Sequence, residues 1–192
     1  MSTLAIEQRV TPEQLMRLPD RNGFELVDGQ LVERPVSKES SRIGAEIVTC
    51  LAIEARRTGE AEVYGADLGY QCFGESDHIR KPDASVIRRE RLSQIPGDVG
   101  YMPIPADLAV EVLSPNDLAR EVSRKIEEYL AAGFALVWVV DPEARLIQIH
   151  RADGSVSKLH EKDQITGEAA LPAFRCRVGD LLAAQTQTPA SA

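Results

Sequence analysis

Two carboxylates stand where carboxylates are costly. In KPDASVI (residues 81–87) Asp83 opens a run of β-forming residues, and in ADLAVEVLSPND (106–117) Glu111 sits in the middle of another. Strand alternation in DLAVEVL places Leu108, Val110 and Val112 on one face, and Asp107, Ala109, Glu111 and Leu113 on the other. An unpaired ionised carboxylate at mid-strand costs several kcal/mol, so Glu111 needs compensation. If the two strands are neighbours in matching register, the acids face each other across one sheet spacing. They then repel, unless a proton or a cation lies between them. A hard divalent metal such as Mg²⁺ accepts such a pair and completes its shell with water and phosphate oxygens. Taken singly, either acid is more simply explained by a salt bridge or a strand-end position.

A lysine adds to the pair. In DLAREVSRKIEEYLAAG (117–133), Leu118, Val122, Ile126, Tyr129 and Leu130 mark the buried stripe of a helix, and at 100° per residue Lys125 falls beside Leu118, inside that arc. Its stem can snorkel to water, or its ammonium can pair with Glu121 one turn earlier. The helix follows Glu111 through a short turn, however, which places the ammonium above the sheet end that carries the acids. A cation there can orient a nucleophilic water and offset charge on a phosphate.

The rest of the composition narrows the alternatives. The chain has 192 residues and a net charge of -8, which opposes nucleic-acid binding by bulk electrostatics. Between residues 80 and 91, however, five basic residues accompany only Asp83 and Glu90, which reads equally as a local basic patch flanking Asp83 or as a solvated strand end and loop. Cys50, Cys72 and Cys176 have no C-x-x-C spacing and read as reduced thiols, with neither a zinc site nor a disulfide framework. His78, His150 and His160 are present, but no serine or cysteine sits in a G-x-S-x-G elbow, which weakens a serine or cysteine hydrolase reading. The longest apolar run, FALVWVV (134–140), is too short to span a bilayer, and MSTLAIEQRV lacks the order of a signal peptide. A cytoplasmic location with no membrane partner is therefore expected.

The elements that must position these groups are legible in outline. Thr11, Pro12 and Gln14 mark the start of a short helix, and Asp28-Gly29 joins FELV and QLVERP as a hairpin. A helix is expected from Ser40 to about Arg57, ended by Gly59, followed by strand-like segments at 62–73, 83–89 and 107–113. Ser114-Pro115 would start the second helix and Gly133 close it; ALVWVVD (135–141) reads as a central strand, and RLIQIHR and SVSKLH as further strands. The fold class is therefore α/β (α+β): a mixed sheet flanked by helices, with an N-terminal hairpin and a C-terminal β extension at its edges. One domain over residues 1–182 and a disordered tail at 183–192 are expected.

FELVDGQLVERP, KPDASVI, LAVEVLSPND and KIEEYLAAGFALVWVVDP, in this order, resemble the Uma-type restriction endonuclease family, within the PD-(D/E)XK nuclease superfamily. The resemblance covers about residues 10–152. It implies a restriction-endonuclease-like core and a Mg²⁺- or Mn²⁺-dependent endonuclease acting on nucleic acid, expected to be DNA, as a homodimer. Residue by residue it implies metal binding by Asp83 and Glu111 with the backbone carbonyl of Val112, and Lys125 as the lysine that positions water. The superfamily lysine two residues after the acid is replaced here by Leu113, and Ser40 stands where relatives often carry histidine. Glu46 is a candidate extra acid, more simply a surface glutamate. The rival expectation is a catalytically inactive module on the same fold, dimeric and acting by interaction or nucleic-acid binding.

Overall fold

Thr11 caps the first helix, α1 (Pro12–Arg17), as its sequence requires: its side chain accepts from the Gln14 amide while the Gln14 side chain accepts from the Thr11 amide. A computed structural model describes residues 9–93, 95, 97 and 100–183 of the chain. Most of MSTLAIEQRV, four positions of the loop before Tyr101 and the expected tail from residue 184 onward lie outside the described residues.

The hairpin β1 (Phe24–Val27) and β2 (Gln30–Glu33) turns through Asp28 and Gly29, both at positive φ (53° and 80°). It does not extend the central sheet. It forms its own two-stranded sheet, tied to the body by a bridge from Leu26 to Ile79. Helix α2 (Lys38–Thr58) starts two residues earlier than expected because Ser37 and Ser40 form a reciprocal cap, and Gly59 in the left-handed conformation ends it.

The central sheet has the order β3-β4-β5-β6-β7-β8. Its strands are β3 (Ala61–Gly65), β4 (Ala84–Arg88), β5 (Leu108–Val112), β6 (Leu136–Asp141), β7 (Leu146–Arg151) and β8 (Val156–His160). Only β5 and β6 pair in parallel, and the other neighbours are antiparallel, which makes the sheet mixed. A single helical turn, α3 (Arg89–Leu92), follows β4. Helix α4 (Ala119–Ala131) provides the crossover between β5 and β6.

The alternation expected in DLAVEVL is realised. Leu108, Val110 and Val112 join Ile43, Ile47 and Leu51 of α2 in one core, while Ala109 joins Tyr129, Phe134, Val137 and Val139 in the core under α4. Asp107 and Glu111 share the α4 face with Ala109, so the fold delivers Glu111 to the edge of this second core.

Two further boundaries differ from expectation. The segment 62–73 is a strand only to Gly65; beyond it the chain turns, and Tyr70 makes isolated bridges to Arg80 and Met102. Helix α4 begins at Ala119 because Asp117 takes the Ser114 amide and donates its own to the Ser114 carbonyl, closing a turn around Pro115. Leu118 precedes the helix and is 56% exposed, so it does not belong to the buried stripe. Past β8, a second separate hairpin, β9 (Gln164–Gly167) and β10 (Leu171–Arg177), and a short helix α5 (Val178–Leu182) complete the described fold.

Candidate active site

Asp83 lies one residue before β4. The β4–β5 register ends at Ala84 opposite Val110, and one step further puts Asp83 opposite Glu111. The Asp83 amide donates to the Val110 carbonyl at 2.9 Å, and the Val112 amide donates to Asp83 Oδ2 at 2.8 Å. The second oxygen, Oδ1, accepts from Arg34 Nη2 at 3.0 Å. Arg34 follows the hairpin and is held by two carbonyls, of Asn22 and Ala66, so its guanidinium is fixed before it meets the acid.

Glu111 is more deeply placed. Its Oε2 accepts from Lys125 Nζ at 2.9 Å and its Oε1 from the Tyr129 hydroxyl at 2.6 Å. Lys125 and Tyr129 are four residues apart on α4, so one helical face presents both donors to one carboxylate. The ammonium therefore lies on the acids' side of the sheet, and the pairing with Glu121 is not made: Glu121 pairs with Arg120.

A third acid meets this group. Glu25, from β1, is 3% exposed at its side chain, and its Oε1 lies 3.1 Å from Lys125 Nζ. The same carboxylate accepts from the Lys81 amide at 2.7 Å and from Arg80 Nη1 at 2.9 Å. Arg80 continues the chain to Glu128, and Glu128 to Arg124 and His78. Arg80 is thus a buried structural cation, and the buried Lys81 turns its ammonium to the Arg21 carbonyl. Arg88, Arg89 and Arg91 pair with Glu90, Glu62 and Asp107. The basic run from 80 to 91 accordingly forms no free patch beside Asp83.

Where the two acids meet, burial outweighs the neighbouring cations. Burial raises the Asp83 carboxyl, and the Val112 amide and Arg34 only partly offset it. Burial likewise pushes Glu111 up to about 7, helped by Asp83 and Glu25 and opposed by Lys125 and Tyr129. Burial would raise Glu25 too, but Lys125 and Arg80 outweigh it and hold that carboxyl below its ordinary range. Lys125 is raised because Glu111 and Glu25 outweigh its desolvation, so it remains an ammonium.

These groups border a cavity of 250 Å³ whose walls include Glu25, Arg34, Asp83, Glu111, Val112 and Lys125. Leu113 lines it as well, and the cation beside Glu111 is supplied from α4. Among the described residues no group of three or more His, Cys, Asp or Glu side chains is arranged to hold a metal ion. Asp83 and Glu111 nevertheless line one cavity, and a Mg²⁺-like ion takes one or two protein carboxylates and keeps several waters.

Other sequence candidates fall elsewhere. The Ser40 hydroxyl is spent within the α2 cap, and Glu46 accepts from Cys50 Sγ at 3.6 Å. Burial pushes the Cys50 and Cys72 thiols up to about 11 and about 12, which suits structural thiols and not nucleophiles. Sequence reasoning missed Glu25 and Arg34, and placed Arg80 only in a basic run and Tyr129 only in the buried helical stripe. Of these, Glu25 carried a signal: in FELV it is a lone acid among apolar strand residues, as Glu111 is in LAVEV.

A mixed sheet with α2 and α4 on its two faces and acids at the joined ends of β4 and β5 is a restriction-endonuclease-like core. The model of the Uma2 family, described as "Putative restriction endonuclease", matches residues 12–179, and the chain belongs to that family. Among solved structures it is similar to the crystal structure of "a putative nuclease belonging to DUF820 from Anabaena variabilis ATCC 29413". That likeness has 21% sequence identity and a TM-score of 0.77, over 90% of this chain and 97% of the other, and it is one of fold. No curated protein matches the chain. Among the described residues no helix is long and apolar enough to cross a membrane.

Proposed function

We propose that this protein is a divalent-metal-dependent endonuclease that hydrolyses phosphodiester bonds of nucleic acid, with DNA as its substrate and a homodimer as its working form. Asp83 and Glu111, with the backbone carbonyl of Val112, would hold Mg²⁺ or Mn²⁺. A bound ion of this kind polarises the scissile phosphate and stabilises the leaving oxygen. Lys125 donates a hydrogen bond to the attacking water and so aims its lone pair at phosphorus. Arg34, at the other side of Asp83, offsets phosphate charge in the same cavity. Tyr129 fixes one oxygen of Glu111, so the other, now bonded to Lys125, is the one that would face an ion.

The observation that carries this reading is the convergence of Asp83, Glu111 and Lys125 on one cavity, with the ammonium 2.9 Å from Glu111. Family membership supports the nucleic-acid substrate class. The test is incubation of the protein with supercoiled plasmid, single-stranded DNA and RNA, in Mg²⁺, Mn²⁺ or EDTA, beside Asp83→Ala, Glu111→Ala and Lys125→Ala. Cleavage of plasmid that needs the ion and all three side chains is expected, and cleavage indifferent to EDTA would refute the metal. Size-exclusion chromatography with light scattering should give twice the chain mass of 21.0 kDa.

One observation favours a second reading, an inactive interaction module. Each oxygen of Asp83 and Glu111 already accepts a hydrogen bond from the protein, so the cluster is satisfied without an ion. This module would neither bind Mn²⁺ nor cut any of the three substrates.

A further inference from the structure

Glu25 reaches the site from outside the sheet that carries Asp83 and Glu111, on a hairpin that forms a separate sheet. Burying a glutamate to 3% exposure is unfavourable unless its partners are fixed, and here they are. The Lys81 amide and Arg80 hold the carboxylate on one side, and Arg80 is itself clamped by Glu128. The remaining direction is taken by Lys125, whose Nζ lies 3.1 Å from Glu25 Oε1 and 2.9 Å from Glu111 Oε2. One ammonium thus bridges two carboxylates from different sheets.

The bridge has a consequence for ion binding. Glu111 Oε1 is tied to Tyr129 and Oε2 to Lys125, so a divalent ion can use Glu111 only if the ammonium yields Oε2. An ammonium expelled from a buried carboxylate needs another anion within reach, and Glu25 already touches it. We propose that Glu25 is a positioning residue: it receives the Lys125 ammonium when Glu111 turns to a divalent ion, and holds it at the cavity for the attacking water. This rests on the metal-dependent reading above and adds to it a residue that acts through Lys125. Arg80 and the Lys81 amide keep Glu25 from swinging into the ion's place, consistent with the absence of a three-acid cluster among the described residues.

The test is a double-mutant cycle read by calorimetric titration of the full chain with Mn²⁺ alone. Glu25→Gln keeps the shape and an acceptor for the Lys81 amide but removes the charge that draws Lys125 from Glu111. It should weaken Mn²⁺ binding by about tenfold, the usual size for losing a group that orients a metal ligand. In the Lys125→Met background there is no ammonium to move, and Glu25→Gln should then change Mn²⁺ affinity by less than about twofold. An equal loss in both backgrounds would overturn the role of Glu25 while leaving the metal site standing. Failure of the wild type to bind Mn²⁺ would remove both. Should Glu25→Gln not fold, Glu25→Asp carries the same comparison, because it keeps the charge for Arg80 and withdraws the oxygen from Lys125 by one methylene.

Discussion

Lys125 Nζ lies 2.9 Å from Glu111 Oε2 although the residues are 14 positions apart, and it approaches from a helix packed over the strand that bears the acid. A lysine two residues after Glu111 would stand just past the end of its strand, on the same face. Leu113 holds that place and packs into the core under α4, so moving the cation to α4 exchanges a strand-borne lysine for an apolar contact. The ammonium is then positioned by the packing of α4, and its geometry depends on Tyr129, Glu25 and the hairpin.

Arg34 is the cation on the other side of the pair, and its removal leaves Asp83 under-compensated. Arg34→Met is expected to lower stability by about 1–3 kcal/mol in EDTA, the range for stripping a partner from a partly buried charge. Saturating Mn²⁺ should restore much of that loss, since an ion replaces the missing positive charge. Thermal unfolding with and without Mn²⁺ checks this, and an equal Mn²⁺ effect on variant and wild type would count against an ion at Asp83.

The Glu111 carboxyl gives a pH dependence of definite sign. Its value in the fold is about 7 against 4.5 for an ordinary glutamate, so between these pH values the folded state holds more protons than the unfolded one. Its contribution to stability is therefore fullest below pH 4.5 and is lost as pH rises through 7. Glu111→Gln cannot ionise, and relative to wild type it should gain about 2 kcal/mol between acidic and mildly alkaline pH. Urea unfolding across that range measures the difference; a flat difference would contradict the assigned burial.

Glu128 behaves in the opposite sense. Burial raises its carboxyl, but His78, Arg124 and Arg80 outweigh this and hold it at about 2. Its stabilisation is present above pH 4.5 and disappears as pH falls towards 2. Glu128→Gln should cost about 1–2 kcal/mol at neutral pH, a value discounted for solvent screening of a partly open side chain, and almost nothing near the lower limit. Acid-range unfolding of the two proteins tests the convergence.

Much of the site's frame was legible because strands alternate strictly. Once DASVI and DLAVEV were read as neighbours, the face of Glu111 followed from parity, and the matching register on which its opposition to Asp83 depended is the one the fold adopts. Lys125 was legible as a charged residue inside an apolar helical arc. The same 100° counting misled at Leu118, because it was continued into a turn that Asp117 closes before the helix begins.

What the sequence concealed is long-range and electrostatic. Nothing local says that Arg34 will cross to Asp83 or that Arg80 will be buried between Glu25 and Glu128. The hairpin was visible from Asp28-Gly29, but its separation from the main sheet was not, since hairpin signals fix a turn and not a neighbour. The last hairpin escaped because β10 contains Pro172 and a register shift between Leu171 and Arg175, which break the alternation that marks a strand.

The joint role of Asp83 and Glu111 is tested most directly by metal-dependent plasmid cleavage, comparing wild type with Asp83→Asn and Glu111→Gln, each shown to be folded by circular dichroism. Both substitutions keep size and remove charge. Cleavage by the wild type in Mg²⁺ or Mn²⁺, abolished by EDTA and reduced at least about 100-fold in each variant, is the expected result. Undiminished cleavage in either variant, or no cleavage by the folded wild type in any divalent ion, would contradict an ion held between these two carboxylates.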